Sequence, residues 1–331
     1  MITIKDVASA ARVSVGTVSK VLSKNPTVKP ALRDRVMSAV KDLGYKPNLA
    51  ARALRTNRLN MLGLVVPDIS NPFFAQLAKD IEAEAAKQAH TVMLANSDDD
   101  PGVEARQIEG LLAQMPKGLI VVGSVDQSTA PIQTDVPIVC VDRRYAGYKL
   151  ISADHKAGSA LVAKHLFELG HRRVAYISGP QSTEVGRLRK LGFCEHLQQL
   201  NTSEEPVELQ IVEGYFDYSS GEEVARKLLA KEADTRPTAI AAASDQQAIG
   251  ALHVARDLGV EVPSELSIVG FDDITLANLV VPRLTSVAQN TGEIARLAVQ
   301  DLLSELPLST DDQLVETHLC ARGSTGVVEK L

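Results

Sequence analysis

"TIKDVASAARVSVGTVSKVL", residues 3–22, decides how the first part of the chain is read. Thr3 can cap a helix, and Asp6, three residues on, can reach back to it as in a capping box. Val7, Ala8 and Ala11 then recur on one helical face. "ARVS" makes a tight turn. Ser14 caps a second helix over "VGTVSKVL", with Val18, Val21 and Leu22 facing inward. After the break "NPTVKP", Pro30 suits the first turn of a third helix. Its inner stripe is Val36, Val40 and Leu43, and Gly44 is its left-handed stop. Two short helices joined by a tight turn and covered by a third form a helix-turn-helix arrangement over residues 1–46.

That arrangement places the second helix in a DNA major groove. Val15, Gly16, Thr17 and Lys20 point outward. Lys20 can donate to guanine O6 or N7, and Val15 can pack on a thymine methyl. Gly16 lets the backbone approach. Ser14, Thr17 and Ser19 are short hydroxyls suited to phosphates, and Thr3 joins the DNA-facing set. The plainer alternative is a small helical bundle with a solvated basic surface.

Charge weighs against that alternative. The 331-residue chain carries a net −6. Residues 1–58, however, hold twelve Lys and Arg against three acids, a net +9, and the remainder holds 23 against 38, a net −15. A basic head on an acidic body indicates a polyanion-binding module joined to something else. The cysteines, Cys140, Cys194 and Cys320, are far apart and odd in number, so they read as buried small side chains. No metal or cofactor is expected. No run of eighteen apolar residues occurs, and "MITIKDVASA" lacks the basic start and apolar stretch of a signal peptide, which makes a cytoplasmic, nucleoid-associated protein the expectation.

Residues 47–59 contain "NLAARALRTNRL". Pro47 can open a helix of two to three turns, too short to be stable alone. Leu49, Ala50, Ala53 and Leu54 would share one face, open to a dimer mate. Arg52 and Arg55 lie elsewhere, suited to phosphates and the minor groove.

The quoted segment with its continuation "SKNPTVKPALRDRVMSAVKDLGYKPNLAARALRTNR" resembles the DNA-binding head of the lactose-repressor family. The family pattern runs T-I-x-D-V-A, then A-x-V-S-x-x-T-V-S-x-V-L, then G-Y-x-P-N-x-x-A-R-x-L, and the first 58 residues follow it almost position by position. "NPTVKP" resembles the catabolite-control branch. The resemblance implies that Val15, Gly16 and Lys20 set operator choice. It also implies that Asn48, Ala51, Arg52, Leu54 and Arg55 form a DNA-contacting hinge, with Leu54 wedged into the central base step.

From residue 60 the texture changes. "LGLVVP", "TVMLANS", "GLIVVGS", "IVCVD", "RVAYISG", "LQIVEG", "TAIAAAS" and "LSIVGFD" read as buried strands that alternate with helical stretches. The expected architecture is α/β, with two doubly wound parallel-sheet lobes behind an all-α head. Such sheets bind ligands beyond the carboxyl ends of their strands. The resemblance extends through this body and implies a periplasmic-binding-protein-like fold that also supplies the dimer interface. The N-lobe would be about 61–155 with 289–318, and the C-lobe about 156–288 with 319–331, the effector lying between them.

Candidate effector residues stand at strand ends or near them: Asp68, Phe73, Phe74, Asp142, Arg143, Arg189, Phe216, Ser244, Asp245, Asp272 and Gln289. Carboxylates and arginines can hold vicinal hydroxyls, and aromatic faces can stack on a sugar ring. Each Asp also has a plain reading as a helix cap, and Phe73 as core. The resemblance favours Phe74, Arg189, Phe216 and Asp272, with Asp142, Asp245 and Gln289 next. Thr183 and Val185 stand where the purine-binding branch has polar contacts, so a purine is disfavoured. Arg143 as a spare cation would suit a phosphorylated or acidic sugar.

The expectation is therefore a dimeric transcription regulator, a repressor, that binds a pseudo-palindromic operator and is controlled by a sugar or related metabolite. The alternative is a catabolite-control regulator whose corepressor is a phosphorylated carrier protein docked on the N-lobe. A sugar-transport protein would carry no such basic head. An enzyme is not expected: no G-x-G-x-x-G, Walker loop or G-x-S-x-G occurs in context, and His171 in "GHRRVAY" reads as a structural hydrogen-bonder.

Overall fold

The computed structural model describes residues 2–22, 25, 27–45, 59–124, 131–202, 205–232, 235–304 and 306–328. The hinge expectations, Asn48, Ala51, Arg52, Leu54 and Arg55, lie outside the described residues. The chain divides into two units, Met1–Leu59 and Asn60–Leu331.

The head consists of α1 (Ile4–Ala10), α2 (Val15–Leu22) and α3 (Pro30–Asp42). Thr3 N and Oγ1 both donate to Asp6 Oδ2, at 2.7 and 2.8 Å, which fixes the start of α1 and lowers the Asp6 pKa. Ser14 Oγ accepts from Thr17 N at 3.1 Å and so caps α2. Pro30 opens α3, and Gly44 sits beyond its end at φ +60°. Val7, Ala8, Ala11, Val18, Val21 and Val36 form the buried centre. Leu22, Val40 and Leu43, expected inside, are half-buried at its margin, and Ala39 takes the inner place on α3.

The body opens with β1 (Met61–Val66), α4 (Pro72–Lys87), β2 (Thr91–Asn96), α5 (Pro101–Leu112), β3 (Gly118–Val121), β4 (Ile138–Val141) and β5 (Leu150–Ala153). It continues with α6 (His155–Glu168), β6 (Arg173–Ser178), α7 (Glu184–Leu200), β7 (Glu208–Glu213), α8 (Tyr218–Leu229), β8 (Ala239–Ala242), α9 (Asp245–Asp257) and β9 (Ser267–Asp272). A short 3₁₀ turn (Thr275–Asn278), β10 (Thr285–Ala288), α10 (Thr291–Leu303), β11 (Gln313–Val315) and β12 (His318–Cys320) complete it. Two six-stranded sheets result, in the orders β11-β5-β4-β3-β1-β2 and β12-β10-β9-β8-β6-β7. The pairings are parallel except that of β12 with β10.

The central strands are continuous apolar runs because helices cover both sheet faces. All of β1 is buried, with Leu64 in register with Leu94 on one side and Ile120 on the other. The edge strands β2 and β7 are partly exposed. Four short strands, β5, β10, β11 and β12, add to the eight that the apolar runs indicate. The chain passes between the sheets after β5, after β10 and after β11. His318, expected within the first lobe, opens β12 of the second sheet. His171 has the structural role its turn position suggests. Its ring nitrogens lie 3.0 Å from Thr238 Oγ1 and 2.9 Å from Ser267 Oγ.

Candidate functional site

Strand direction builds the site. The carboxyl ends of the two sheets deliver their loops to one cleft of about 390 Å³. Asp68 follows β1, Asp99 follows β2, Ser124 follows β3 and Arg143 follows β4. From the second sheet, Thr183 lies beyond β6, Phe216 beyond β7 and Gln246 beyond β8. A second cavity of about 420 Å³ is lined by Phe73, Asp272 and Gln289. Phe73 and Phe74 meet edge to face, 5.3 Å between centroids, so adjacent residues of α4 serve the two cavities.

Arg143 is the central cation of the first cleft. Its Nη1 bonds to Asp99 Oδ1 at 2.9 Å, and its Nε lies 3.8 Å from Asp142 Oδ2. The guanidinium carbon lies 5.3 Å from the Phe74 centroid and 5.8 Å from that of Phe216. It is buried and paired, which corrects the expectation of a spare cation for an acidic sugar. Asp99, from "NSDDDP", neutralises it, and sequence reading alone did not bring these two residues together.

Arg189, projecting from α7, ties the second lobe. Its Nη1 meets Asp272 Oδ1 at 2.9 Å and donates to Ala243 O at 2.6 Å. Gln289 Nε2 donates to the same Asp272 oxygen at 2.6 Å. Burial pushes the Asp272 pKa up to about 6, while Arg189 and Gln289 pull it back. Burial likewise raises Asp142, against the pull of Arg143 and Arg189. Asp272 stands on strained backbone at φ 112°, where a side chain is rarely tolerated without an over-determining environment, and Asp142 at φ 60° takes the left-handed conformation that Asp adopts more readily than most residues.

Two expected contacts point elsewhere. Asp245 is fully buried; its Oδ1 accepts from Ser286 Oγ at 2.5 Å and its Oδ2 from Ile274 N at 2.8 Å. It joins α9 to the turn after β9 and does not line the cleft. Ser244 caps α9 through Gln247 N and lies behind Gln246, the residue that does reach the cleft. The plain capping reading fails for Asp68: it accepts from Ser70 N and Oγ in a local turn while lining the cleft, and Asn71, which accepts from Phe73 N, caps α4.

Reading of the sequence missed His155, Asp99, Ser124 and Gln246. His155 is buried at the start of α6, between Asp142 and Arg189. Its partners are 13 and 34 positions away, a separation that carries no local periodicity.

On the head, Val15, Gly16 and Lys20 of α2 are exposed, Thr17 and Ser19 half-buried. An added Cβ at Gly16 would meet only Ser14 Oγ, at 3.8 Å. The Ser14 and Thr17 hydroxyls bond each other at 2.9 Å, and Thr3 Oγ1 is held by Asp6. These three hydroxyls therefore serve capping as well as any phosphate.

A helix-turn-helix head and a two-sheet body with its cleft at the strand ends define a ligand-responsive DNA-binding regulator. Residues 3–48 match the bacterial regulatory proteins of the lacI family, and residues 163–325 match the periplasmic binding protein-like domain. The chain is 35% identical to the ribose operon repressor of Halalkalibacterium halodurans over 98% of this chain and 97% of that protein. It is 34% identical to catabolite control protein A of Priestia megaterium over 95% of each. The lac repressor dimer bound to operator and the anti-inducer ONPF superposes with a TM-score of 0.81 at 26% identity, covering 98% of this chain and 99% of that one. The chain belongs to the lacI family of bacterial regulatory proteins.

Proposed function

We propose that this protein is a transcriptional repressor that binds a pseudo-palindromic operator as a dimer and answers to a neutral monosaccharide. The carrying observation is the pairing of the cations in and behind the cleft: Arg143, which lines it, is matched by Asp99 and Asp142, and the buried Arg189 by Asp272. An anionic ligand would meet arginines already neutralised and carboxylates besides. A polyhydroxyl ligand can exchange hydrogen bonds with the same groups and leave their charges matched. Phe74 and Phe216 supply apolar faces, and the cleft volume falls in the range of small-molecule sites. The likeness to a ribose operon repressor agrees with a pentose.

No catalytic step enters this reading. The protein acts where its DNA is, in the cytoplasm. Two heads on two half-sites require a dimer. Effector and operator are linked, and a coupling of about 1–3 kcal/mol changes operator affinity roughly 5–150-fold.

The likeness to catabolite control protein A carries the alternative of a phosphorylated carrier protein. The packed helices α4 and α10 pair Lys87 with Glu84, and Arg296 with Glu293 and Gln300. Lys79 on α4 is exposed outside these pairs, so the carrier protein stays the alternative, which the ligand screen decides.

The test is a melting screen with D-ribose, D-xylose, D-glucose and D-galactose beside ribose 5-phosphate, glucuronate and adenosine. Each hit is followed by operator titration at one fixed salt concentration. A neutral sugar at a hundredfold excess over its Kd should stabilise by about 2.7 kcal/mol, several degrees in Tm, and shift operator affinity. A response confined to the phosphorylated or acidic ligands would overturn the reading.

A further inference from the structure

His155 opens α6 immediately after the first passage between sheets, and it is 2% exposed. Charged groups face it from both lobes. Arg189 on α7 places Nε 3.4 Å from Nδ1, and Asp142 at the end of β4 places Oδ1 3.5 Å from Nε2. Arg143 follows Asp142, Asp272 at the end of β9 is held by Arg189, and the imidazole rests 6.0 Å from the Phe271 ring. A ring nitrogen that accepts from a guanidinium carries no proton, so the proton sits on Nε2, the atom that faces Asp142. Neither His155 Nε2 nor Asp142 Oδ1 finds a hydrogen-bond partner among the described residues. A buried donor and a buried acceptor thus face each other across the lobe boundary, 3.5 Å apart, without making the bond.

We propose that His155 is a positioning residue of the effector site. A ligand held in the cleft by Arg143, whose Nε lies beside Asp142, and by Gln246 of the other lobe draws the lobes together until His155 Nε2–H bonds to Asp142, and this contact links occupancy to lobe closure. Burial and the two arginines keep the ring neutral, as the contact requires. The proposal rests on the neutral-sugar reading for its ligand and on geometry for its tautomer, and the two are tested apart.

The full chain, His155→Leu and His155→Gln are titrated with D-ribose by calorimetry and with operator DNA, with and without the sugar. Leucine fills the space without hydrogen bonds. Glutamine can accept from Arg189 and donate to Asp142. His155→Leu should bind D-ribose at least tenfold more weakly and lose the sugar's effect on operator affinity, its sugar-free operator affinity staying within twofold. His155→Gln should stay within threefold on all three. Unchanged binding in His155→Leu, or equal losses in both variants, overturns the proposal. If the unmutated chain ignores D-ribose, the pentose choice fails by itself, and the same titrations are run with the neutral sugar that raises Tm in the melting screen. The tautomer is then read from spectra of 15N-histidine-labelled protein, the His155 signal being assigned by its loss in His155→Gln. A protonated Nε2 with bare Nδ1 from pH 6 to 8 supports the proposal. An imidazolium or a protonated Nδ1 overturns it, and this readout holds even if the leucine variant does not fold.

Discussion

His171 and Asp272 are buried groups with opposite demands on pH. Burial lowers the His171 pKa from 6.5 to about 4. Below pH 6.5 the unfolded chain takes up a proton that the folded chain refuses, so stability is full above 6.5 and falls as pH drops toward 4. A shift of this size corresponds to about 3 kcal/mol at its limit. Asp272 has the other sign. Its folded pKa is raised from 3.8 to about 6, so it disfavours the folded state as pH rises through that window. The two oppose each other between pH 4 and 6, and a wild-type stability curve hides both. His171→Gln removes one of them. Denaturant unfolding at pH 7 and pH 5 should show the wild type losing about 2 kcal/mol more than the variant on acidification. Parallel losses would mean that His171 is not held neutral.

Helix α7 packs on α6 through Gly192, where an added Cβ would lie 2.1 Å from Lys156 O and 2.8 Å from Lys156 Cα. Backbone cannot yield as a flexible side chain can. Gly192→Ala should therefore cost about 1–3 kcal/mol or more, seen as a Tm lower by several degrees. Gly110, exposed in α5 with nothing within 4 Å of the added atom, is the control. There alanine should stabilise by roughly 0.5–1 kcal/mol through helix propensity. Equal effects at the two sites would remove the packing argument. The sequence presents both as a glycine inside an amphipathic helix, because tertiary approach leaves no local signal. The same limit separates what was legible from what was not. Apolar runs such as "MLGLVV" declare central strands, since covered faces need no alternation. "QLV" and "HLC", three residues long, declare nothing by themselves. At the site, Asp142 and Asp272 were readable as polar residues at strand ends, and Arg189, inside α7, through the family resemblance. The Asp99–Arg143 pair spans 44 positions, and the inward turn of Asp245 depends on Ser286, 41 positions away. Such contacts are fixed by sheet order, which residue type and spacing do not encode.

At the scale of the whole molecule, the function needs two copies, and the body offers apolar surface for a second chain. Val281 is 92% exposed and Leu279 68%. Val281 borders a groove of about 890 Å³ lined also by Tyr218, Ile249, Leu252, Val280 and Pro282. The edge strand β2 adds exposed Met93 and Leu94 on the other lobe. Contiguous exposed apolar groups of this kind mark interaction surfaces, and a protein with one head per chain reaches two half-sites only by pairing with a copy of itself. Val281→Lys puts a charge into that surface without touching the cleft or the head. Sedimentation should show a monomer at concentrations where the unmutated chain is dimeric. Operator affinity should fall about 10²–10⁴-fold as the second head's contribution is lost, while the sugar-induced rise in Tm persists. A variant that sediments as a dimer, or a monomer that binds operator as tightly as before, would place the pairing surface elsewhere and return β2 to consideration as the edge that joins the two copies.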